Sequence, residues 1–218
     1  MPQSPSAAVE IESQRPRGRP RADDRAALES RLVRVACQCF TSKGYGATSM
    51  SEVARAARVS KKTLYSRFAS KADLFRAILE AQIRRTGGVV RLQAPAAETL
   101  ETMLRLYAEH TLQESLSPEI LQLNRLIYSE AGRFPELGEA ALARRAVGVT
   151  QVAELLCDFA IKDGVPCRDP DGAGEMFIAL LTGWYSGMML RSRPVTEAEI
   201  TAWTRQMLDV FLASRGSW

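Results

Sequence analysis

The amino-acid sequence predicts an all-α protein of about nine helices, in which a small N-terminal helical domain precedes a larger C-terminal one. Apolar residues recur at three- and four-residue spacing through most of the chain, which is the period of a buried helix face. Capping residues and prolines stand where helices are expected to begin, and no segment alternates between apolar and polar residues as a half-buried strand does. A chain of 218 residues is long enough to bury a sizeable core.

Four helices are predicted before residue 86, joined by very short connections. The first starts at the acidic pair Asp23 and Asp24, whose charges suit the positive end of a helix, and Gly44 is placed to end it. Short helices follow over 51–57 and 61–68, and a longer one begins near residue 71. Three of these starts carry capping side chains, namely Ser49 with its capping-box partner Glu52, Ser60, and Ser70 with Asp73.

Five more helices are predicted after a looser stretch at 86–97, over residues 97–115, 118–131, 135–163, 171–191 and 196–213. Prolines stand at or near four of these starts, where proline is tolerated: Pro118, Pro135, Pro170 and Pro194. The longest apolar run, residues 176–190, rises about 1.5 Å per residue and is too short for a ~30 Å bilayer core. Because the N-terminus also lacks an apolar signal core, we expect a cytoplasmic protein without membrane contact.

Charge divides the chain into two unlike parts. Residues 1–91 hold 18 Lys and Arg against 8 Asp and Glu, whereas residues 92–218 hold 11 against 17. Only the first part is therefore expected to meet a polyanion.

The reactive side chains argue against an enzyme or a metal protein. The chain has a single histidine, no CxxC pair, no Gly-rich phosphate loop and no nucleophile–histidine pair, so we expect no cofactor, metal or catalytic residue. The four cysteines are expected to be buried small hydrophobic residues, with a redox-sensing role as the open alternative; they are Cys37, Cys39, Cys157 and Cys167.

The two short helices and the turn between them form a helix-turn-helix candidate. In this motif the second helix enters the major groove of DNA, where its N-terminal residues reach base edges. Apolar residues are spaced to pack both helices on the first long one: Ala54, Val59, Leu64 and Phe68. Polar residues of the second helix are then expected to face outward, toward bases and phosphates, namely Lys61, Lys62, Thr63, Tyr65, Ser66 and Arg67. A solvated basic surface is the plainer alternative.

The stretch FTSKGYGATSMSEVARAARVSKKTLYSRFASKADLF resembles the DNA-binding domain of the TetR (tetracycline repressor) family of bacterial transcription regulators. The matching positions are Phe40, Gly44, Tyr45, Thr48, Val53, Ala54, Val59, Ser60, Thr63, Leu64, Tyr65, Phe68, Lys71 and Leu74. The resemblance implies operator DNA contacts by the third helix, a backbone contact by Lys71, and phosphate contacts by Thr48 and Ser49. One departure is Arg58, which stands where the family has a glycine that accepts positive φ.

A second basic element, RPRGRPR at residues 15–21, precedes the first helix. Its PRGRP core resembles an AT-hook, so Arg17 and Arg19 are expected to lie in the minor groove of A·T-rich DNA. A solvated leader with no defined contact is the alternative. Disorder is expected for residues 1–22 in the free protein because they are rich in Pro, Ser, Ala and Arg and show no periodicity.

In the TetR family the C-terminal half binds a small-molecule effector and forms the dimer. The stretch EAGRFPEL, Glu130 to Leu137, resembles the AefR-like subgroup of these regulators. The helices at about 171–191 and 196–213 are the expected homodimer interface, since the first is apolar nearly all round. An effector pocket is predicted, with plain core as the alternative, from Met103, Tyr107, His110, Trp184, Tyr185 and Met188.

These observations predict a ligand-responsive repressor that binds a palindromic operator as a homodimer, with an unknown small-molecule effector. The expected segments are the basic arm at 1–22, the DNA-binding domain at 23–85 and the effector and dimerisation domain at 86–218. Two alternatives stay open: a DNA-bound adaptor without an effector, and a repressor switched by cysteine oxidation. An internal cavity in the C-terminal half distinguishes the first of these from an effector-responsive regulator.

Overall fold

A computed structural model describes residues 22–93 and 99–218, and within them the chain is helical with no strand assigned. The all-α prediction is confirmed. The described residues form nine α-helices: α1 (Ala22–Lys43), α2 (Met50–Ala56), α3 (Lys61–Tyr65), α4 (Lys71–Gln93), α5 (Leu100–Leu116), α6 (Pro118–Glu130), α7 (Pro135–Asp163), α8 (Pro170–Met188) and α9 (Glu197–Ala213). A short 3₁₀ turn, Arg215–Ser217, follows α9.

The predicted helix bounds agree with the structure to within three residues except at the end of α4. The third helix ends at Tyr65 instead of residue 68, because Ser66 serves as its C-cap. The fourth continues to Gln93 and so runs across the boundary predicted at residues 85 and 86. Three of the four prolines stand in the first turn of α6, α7 and α8, where no backbone N–H is needed.

The N-terminal helices pack around a core of aromatic and aliphatic residues. Phe40, Tyr45 and Phe75 form a triangle of ring contacts with centroids 5.2–6.1 Å apart. Leu64 of α3 is fully buried in this core, as the helix-turn-helix pattern predicts. The same cluster includes residues of α6 and α7, among them Leu123 and Leu137, so the second half of the chain packs directly on the first.

A second core lies among α5, α7, α8 and α9. Phe177 of α8 is fully buried there and contacts the rings of Tyr107 and Phe211. The C-terminal Trp218 covers one end of this core, with its ring 4.4 Å from that of Phe211. No helix in the described ranges is long and apolar enough to cross a bilayer.

The cysteines depart from the expectation that all four are buried. Cys37 is buried in the first core, Cys39 and Cys167 are partly buried, and Cys157 is exposed. Cys157 faces solvent because its neighbours Leu156 and Phe159 occupy the buried face of α7. All four are free thiols.

Candidate nucleic-acid interface and internal cavity

Helix α2 starts with a complete capping box. The Ser49 hydroxyl accepts from the backbone N–H of Glu52, and a carboxylate oxygen of Glu52 accepts from the backbone N–H of Ser49 at 2.8 Å. Lys43 pairs with the same carboxylate at 3.0 Å. The backbone bond at Ser49, followed by the bond to Lys43, holds the pKa of Glu52 at about 2. The S-x-x-E pattern therefore fixes the start of α2, as predicted.

The turn between α2 and α3 strains one residue. Arg58 has φ = 54°, which places it in the left-handed region where a residue with a side chain costs roughly 1 kcal/mol or more. Arg58 therefore bears the strain that glycine would avoid. Ser60 then caps α3 by accepting from the backbone N–H of Thr63 at 3.0 Å.

Helix α3 presents a polar surface with no acid in its first turn. Lys61, Lys62, Tyr65 and Ser66 are exposed, and half of the Tyr65 surface is open to solvent. These groups donate hydrogen bonds, and the two ammonium groups attract phosphate. Ser60 and Ser49 are also exposed. Thr63 is half-buried, and its hydroxyl forms a hydrogen bond of 2.8 Å with the hydroxyl of Ser60.

Two residues of the predicted interface point inward instead. Arg67 donates to a carboxylate oxygen of Glu29 on α1 at 3.5 Å, and 23% of its side chain is exposed. Thr48 is buried, and its hydroxyl donates to the carbonyl oxygen of Gly44 at 2.8 Å. The expectation that the Arg67 side chain faces outward is corrected, because it contacts the first helix. The predicted DNA contacts of Arg67 and Thr48 stay predictions.

Lys71 is also engaged within the protein. Its ammonium donates to the carbonyl oxygens of Tyr45 and Thr48 at 2.7 and 3.1 Å, and lies 4.3 Å from the centroid of the Tyr45 ring. Burial lowers the pKa of Lys71, and the nearby carboxylates of Glu136 and Glu130 oppose that shift. The predicted backbone contact of Lys71 with DNA stays a prediction. Arg17 and Arg19 lie outside the described residues.

The EAGRFPEL stretch joins the second half of the chain to the helix-turn-helix. Glu130 accepts from the backbone N–H groups of Tyr45 and Gly46, both at 3.1 Å. The Tyr45 hydroxyl donates to Glu136 at 3.1 Å, and its ring meets the Phe134 ring edge-on at 5.2 Å. We name Tyr45, Lys71, Glu130, Phe134 and Glu136 the head joint.

Glycine is required beside the head joint. A Cβ on Gly46 would lie 2.9 Å from the Phe134 ring, and one on Gly44 would lie 2.9 Å from a carboxylate oxygen of Glu130. Gly44 also has φ = 89°, which suits the end of α1. The head joint was not predicted from the sequence, although Lys71 and the two glutamates at the ends of EAGRFPE carry opposite charges.

A cavity of about 410 Å³ lies inside the bundle formed by α4, α5, α6, α7 and α8 and is partly open to solvent. Its wall is mainly apolar, with Ile120, Ile127, Leu142 and Ile178 among the lining residues. Of the six residues predicted for a pocket, Tyr107 and Tyr185 line this cavity. Burial raises the pKa of each of these two tyrosines to about 12, so both stay protonated near neutral pH.

The other four predicted pocket residues do not line the cavity. Trp184 turns toward α9, where its ring stacks on Trp203 with centroids 4.9 Å apart. Met103 packs on the C-terminal core, and His110 and Met188 are partly buried away from the cavity. The prediction for Met103, His110, Trp184 and Met188 is corrected, because helical spacing does not indicate which face of a buried helix meets the cavity.

A cationic residue that sequence analysis missed lies on the cavity wall. Arg144 of α7 donates to the side-chain oxygens of Gln82 on α4 at 2.7 Å and of Asn124 on α6 at 3.2 Å. Burial lowers the pKa of Arg144 from its usual value, while arginine still keeps its proton at neutral pH. Its neighbour Arg145 also lines the cavity and pairs with Glu175 at 2.6 Å.

Comparison with known proteins places the chain in a family. Residues 32–78 match the family described as bacterial regulatory proteins, tetR family, and residues 102–215 match the C-terminal domain of AefR-like transcriptional repressors. The transcriptional regulator AcuR of Cereibacter sphaeroides is 29% identical over 190 residues, which cover 81% of this chain and 82% of AcuR.

Solved structures agree with this assignment. A TetR-family regulator from Mesorhizobium loti has a TM-score of 0.68 at 26% identity, over 86% of this chain and 96% of that one. The flavonoid-responsive regulator FrrA has a TM-score of 0.66 at 28% identity, over 87% and 97%. The chain therefore belongs to the TetR family of bacterial transcriptional regulators, which bind DNA and are not enzymes.

Proposed function

We propose that this protein is a repressor that binds a palindromic operator as a homodimer and releases it when a small molecule occupies the internal cavity. One observation carries the proposal: helices α6 and α7 line the cavity, and Glu130, Phe134 and Glu136 of the head joint lie at the ends of these helices and in the turn between them. A ligand that changes the packing of these two helices therefore acts directly on the residues that position α2 and α3.

The exposed surface of α3 supports operator binding. Lys61, Lys62 and Tyr65 are exposed, whereas Leu64 is buried and packs the helix on the N-terminal core. Contacts from such a surface to phosphates contribute binding free energy that weakens as the salt concentration rises. Contacts to base edges make the binding depend on DNA sequence. Binding of this kind fits the family to which the chain belongs.

An uncovered apolar face on α8 and α9 supports the homodimer. Met176 and Leu180 of α8 and Val210 of α9 are exposed, at 52%, 42% and 70%. Gly183 continues the α8 face, and a Cβ added there meets open space. Two copies that pair these helices form an isologous four-helix interface, and its two-fold symmetry calls for a palindromic operator.

The cavity favours an effector over an adaptor without one. Its volume lies within the ~300–1,000 Å³ range of small-molecule sites. The solved relative FrrA is a flavonoid-responsive regulator, and the matched C-terminal family consists of repressors. Thiol chemistry has weaker support, because burial raises the pKa of Cys39 and Cys167 and so disfavours their reactive thiolate forms.

A mobility-shift assay on the DNA upstream of the protein's own gene, at two salt concentrations, tests the proposal. We expect tight, salt-sensitive binding that random DNA does not match. Lys61→Ala and Tyr65→Ala are each expected to weaken it by about 1–3 kcal/mol. Arg105→Ala, which removes one positive charge from α5, is the matched control and is expected to leave the affinity unchanged.

Two further measurements complete the test. Sedimentation of the complex is expected to give two protein chains per operator. If the protein prefers no sequence in the upstream DNA, and selection from a random DNA library also yields no preferred site, the specific-repressor proposal is overturned.

A further inference from the structure

We propose that the internal cavity binds an organic carboxylate with an apolar body, and that Arg144 holds the carboxylate group. The inference rests on the proposed function and deepens it, since it names the chemical class of the effector.

The Arg144 guanidinium has no counter-charge among the residues that the structure describes. This guanidinium lines the cavity, and its hydrogen-bond partners, Gln82 and Asn124, are neutral amides. Within the described residues no carboxylate lies within 4.0 Å of it. The neighbouring hydroxyl of Tyr185 stays protonated and brings no negative charge. A buried cation of this kind strongly favours an anionic partner.

The adjacent residue provides an internal contrast. Arg145 lines the same cavity, but Glu175 neutralises it through contacts at 2.6 and 3.2 Å, and the Thr182 hydroxyl accepts a further bond. Two arginines at consecutive positions therefore differ in charge balance. A guanidinium offers five N–H donors, of which the two amide oxygens of Gln82 and Asn124 take one on each terminal nitrogen. The remaining donors suit a carboxylate.

The rest of the wall defines the body of the ligand. Apolar side chains such as Ile120, Ile127, Leu142 and Ile178 make up most of the lining, so a purely polar anion would leave them without contacts. Glu114 also lines the cavity, and its carboxylate favours a monoanion over a dianion. An apolar monocarboxylate meets both conditions.

The partners of Arg144 connect the bound anion to the DNA-binding part. Gln82 lies on α4, which begins at Lys71 of the head joint, and Asn124 lies on α6, which ends at Glu130 of the same joint. A carboxylate bound to the remaining donors draws the guanidinium toward itself and so weakens its bonds to both amide oxygens. Ligand binding therefore loosens the link between α4, α6 and α7 at the point where the three helices lead to the joint.

Titration calorimetry at pH 7 on the full chain tests the proposal with pairs of ligands that share shape and differ in charge. The probes are octanoate, decanoate, benzoate and phenylacetate, each beside its amide. At least one carboxylate is expected to bind, more than tenfold tighter than its amide. Arg144→Met is expected to weaken that binding about 10- to 100-fold, as loss of a hydrogen-bonded charge does. Arg144→Lys, which keeps the charge, is expected to recover part of it.

Arg105→Gln, which removes one positive charge outside the cavity lining, is the matched control, and its carboxylate affinity is expected to stay within about threefold of the parent. Equal binding of carboxylate and amide, unchanged affinity in both Arg144 variants, or no binding by any probe at millimolar concentration would overturn the proposal. Urea unfolding of each variant confirms that the fold is kept, and Arg144→Lys serves if the methionine variant is unfolded.

The operator assay separates this inference from the proposed function. If the ligand-free protein binds its operator and no carboxylate binds the cavity, the anion site is wrong and the repressor proposal stands. If carboxylate binding depends on Arg144 and no operator is found, the repressor proposal is wrong and the anion site stands.

Discussion

Two polar clusters connect helix α4 to the pair α6 and α7, and they differ in charge balance. The head joint places the ammonium of Lys71 near the carboxylates of Glu130 and Glu136, which accept hydrogen bonds from two backbone N–H groups and a tyrosine hydroxyl. The cavity cluster brings one guanidinium, that of Arg144, together with two neutral amides.

The difference in charge balance means that the head joint has its opposite charges within the protein, whereas the cavity cluster lacks an anion. At the head joint each charged group meets an opposite charge or a dipole within the protein, which favours one fixed geometry. At the cavity the cation has hydrogen bonds and no counter-charge, so its environment improves when an anion arrives. Both clusters lie on the same three helices, and a change at the second therefore reaches the first through rigid elements.

The strongest way to break the head joint is to remove its aromatic centre. Tyr45 is 1% exposed and its ring contacts those of Phe40, Phe75 and Phe134. Tyr45→Ala is expected to lower the free energy of unfolding by about 3–5 kcal/mol, because it opens a cavity in the core. Urea unfolding followed by circular dichroism measures it.

The conservative change separates the ring from its hydroxyl. Tyr45→Phe keeps the packing and loses the bond to Glu136, so a loss of about 1 kcal/mol is expected. Equal losses in the two variants would mean that the hydroxyl, and not the ring, stabilises the joint.

A milder way to break the joint removes the charge of one carboxylate. Glu130→Gln keeps one acceptor and turns an amide NH₂ toward the second of the two backbone N–H groups that Glu130 now binds. We expect a loss of about 1–2 kcal/mol in the free energy of unfolding and weaker operator binding. Glu139→Gln, on an exposed position of α7, is the matched control and is expected to change neither quantity. An equal effect of the two variants would contradict a specific role for Glu130.

Capping residues close to the helix ends made α2, α3 and the start of α4 predictable from the sequence. The capping serines Ser49, Ser60 and Ser70 each act on a backbone group three residues away, and the structure confirms all three caps. The positive φ of Arg58 follows from the same local geometry, since a turn of this type needs a left-handed residue. Helix starts at prolines were equally accessible, because the missing N–H restricts where proline can stand.

The joint and the cavity were not predictable in the same way, because their contacts are distant in the chain. Glu130 binds Tyr45 across 85 positions, and Arg144 binds Gln82 across 62. Arg67 was expected to face outward from its position on α3, but a partner 38 positions earlier draws it to α1. Periodicity marks a buried face without showing what that face meets, so the pocket residues were mostly misassigned.

An acidic residue placed beside Arg144 would supply the anion that it lacks. This substitution is expected to give the smallest change in stability and tests the difference between the two clusters directly. Gln82→Glu keeps the size and the hydrogen bond at 2.7 Å and adds one negative charge on α4. The free energy of unfolding is expected to change by about 1 kcal/mol or less, since desolvation of the new carboxylate offsets most of the attraction.

The ligand response, in contrast, is expected to disappear. An internal carboxylate occupies the guanidinium, so external carboxylates are expected to bind at least tenfold more weakly than in the parent, as calorimetry measures. Operator affinity is expected to stay at the parent value, because the link between α4 and α7 is retained. Gln82→Met, which removes the link and adds no charge, is the comparison variant and is expected to keep carboxylate binding. If Gln82→Glu binds carboxylates as tightly as the parent, then Arg144 already has its counter-charge, and the head joint and the cavity cluster do not differ in charge balance.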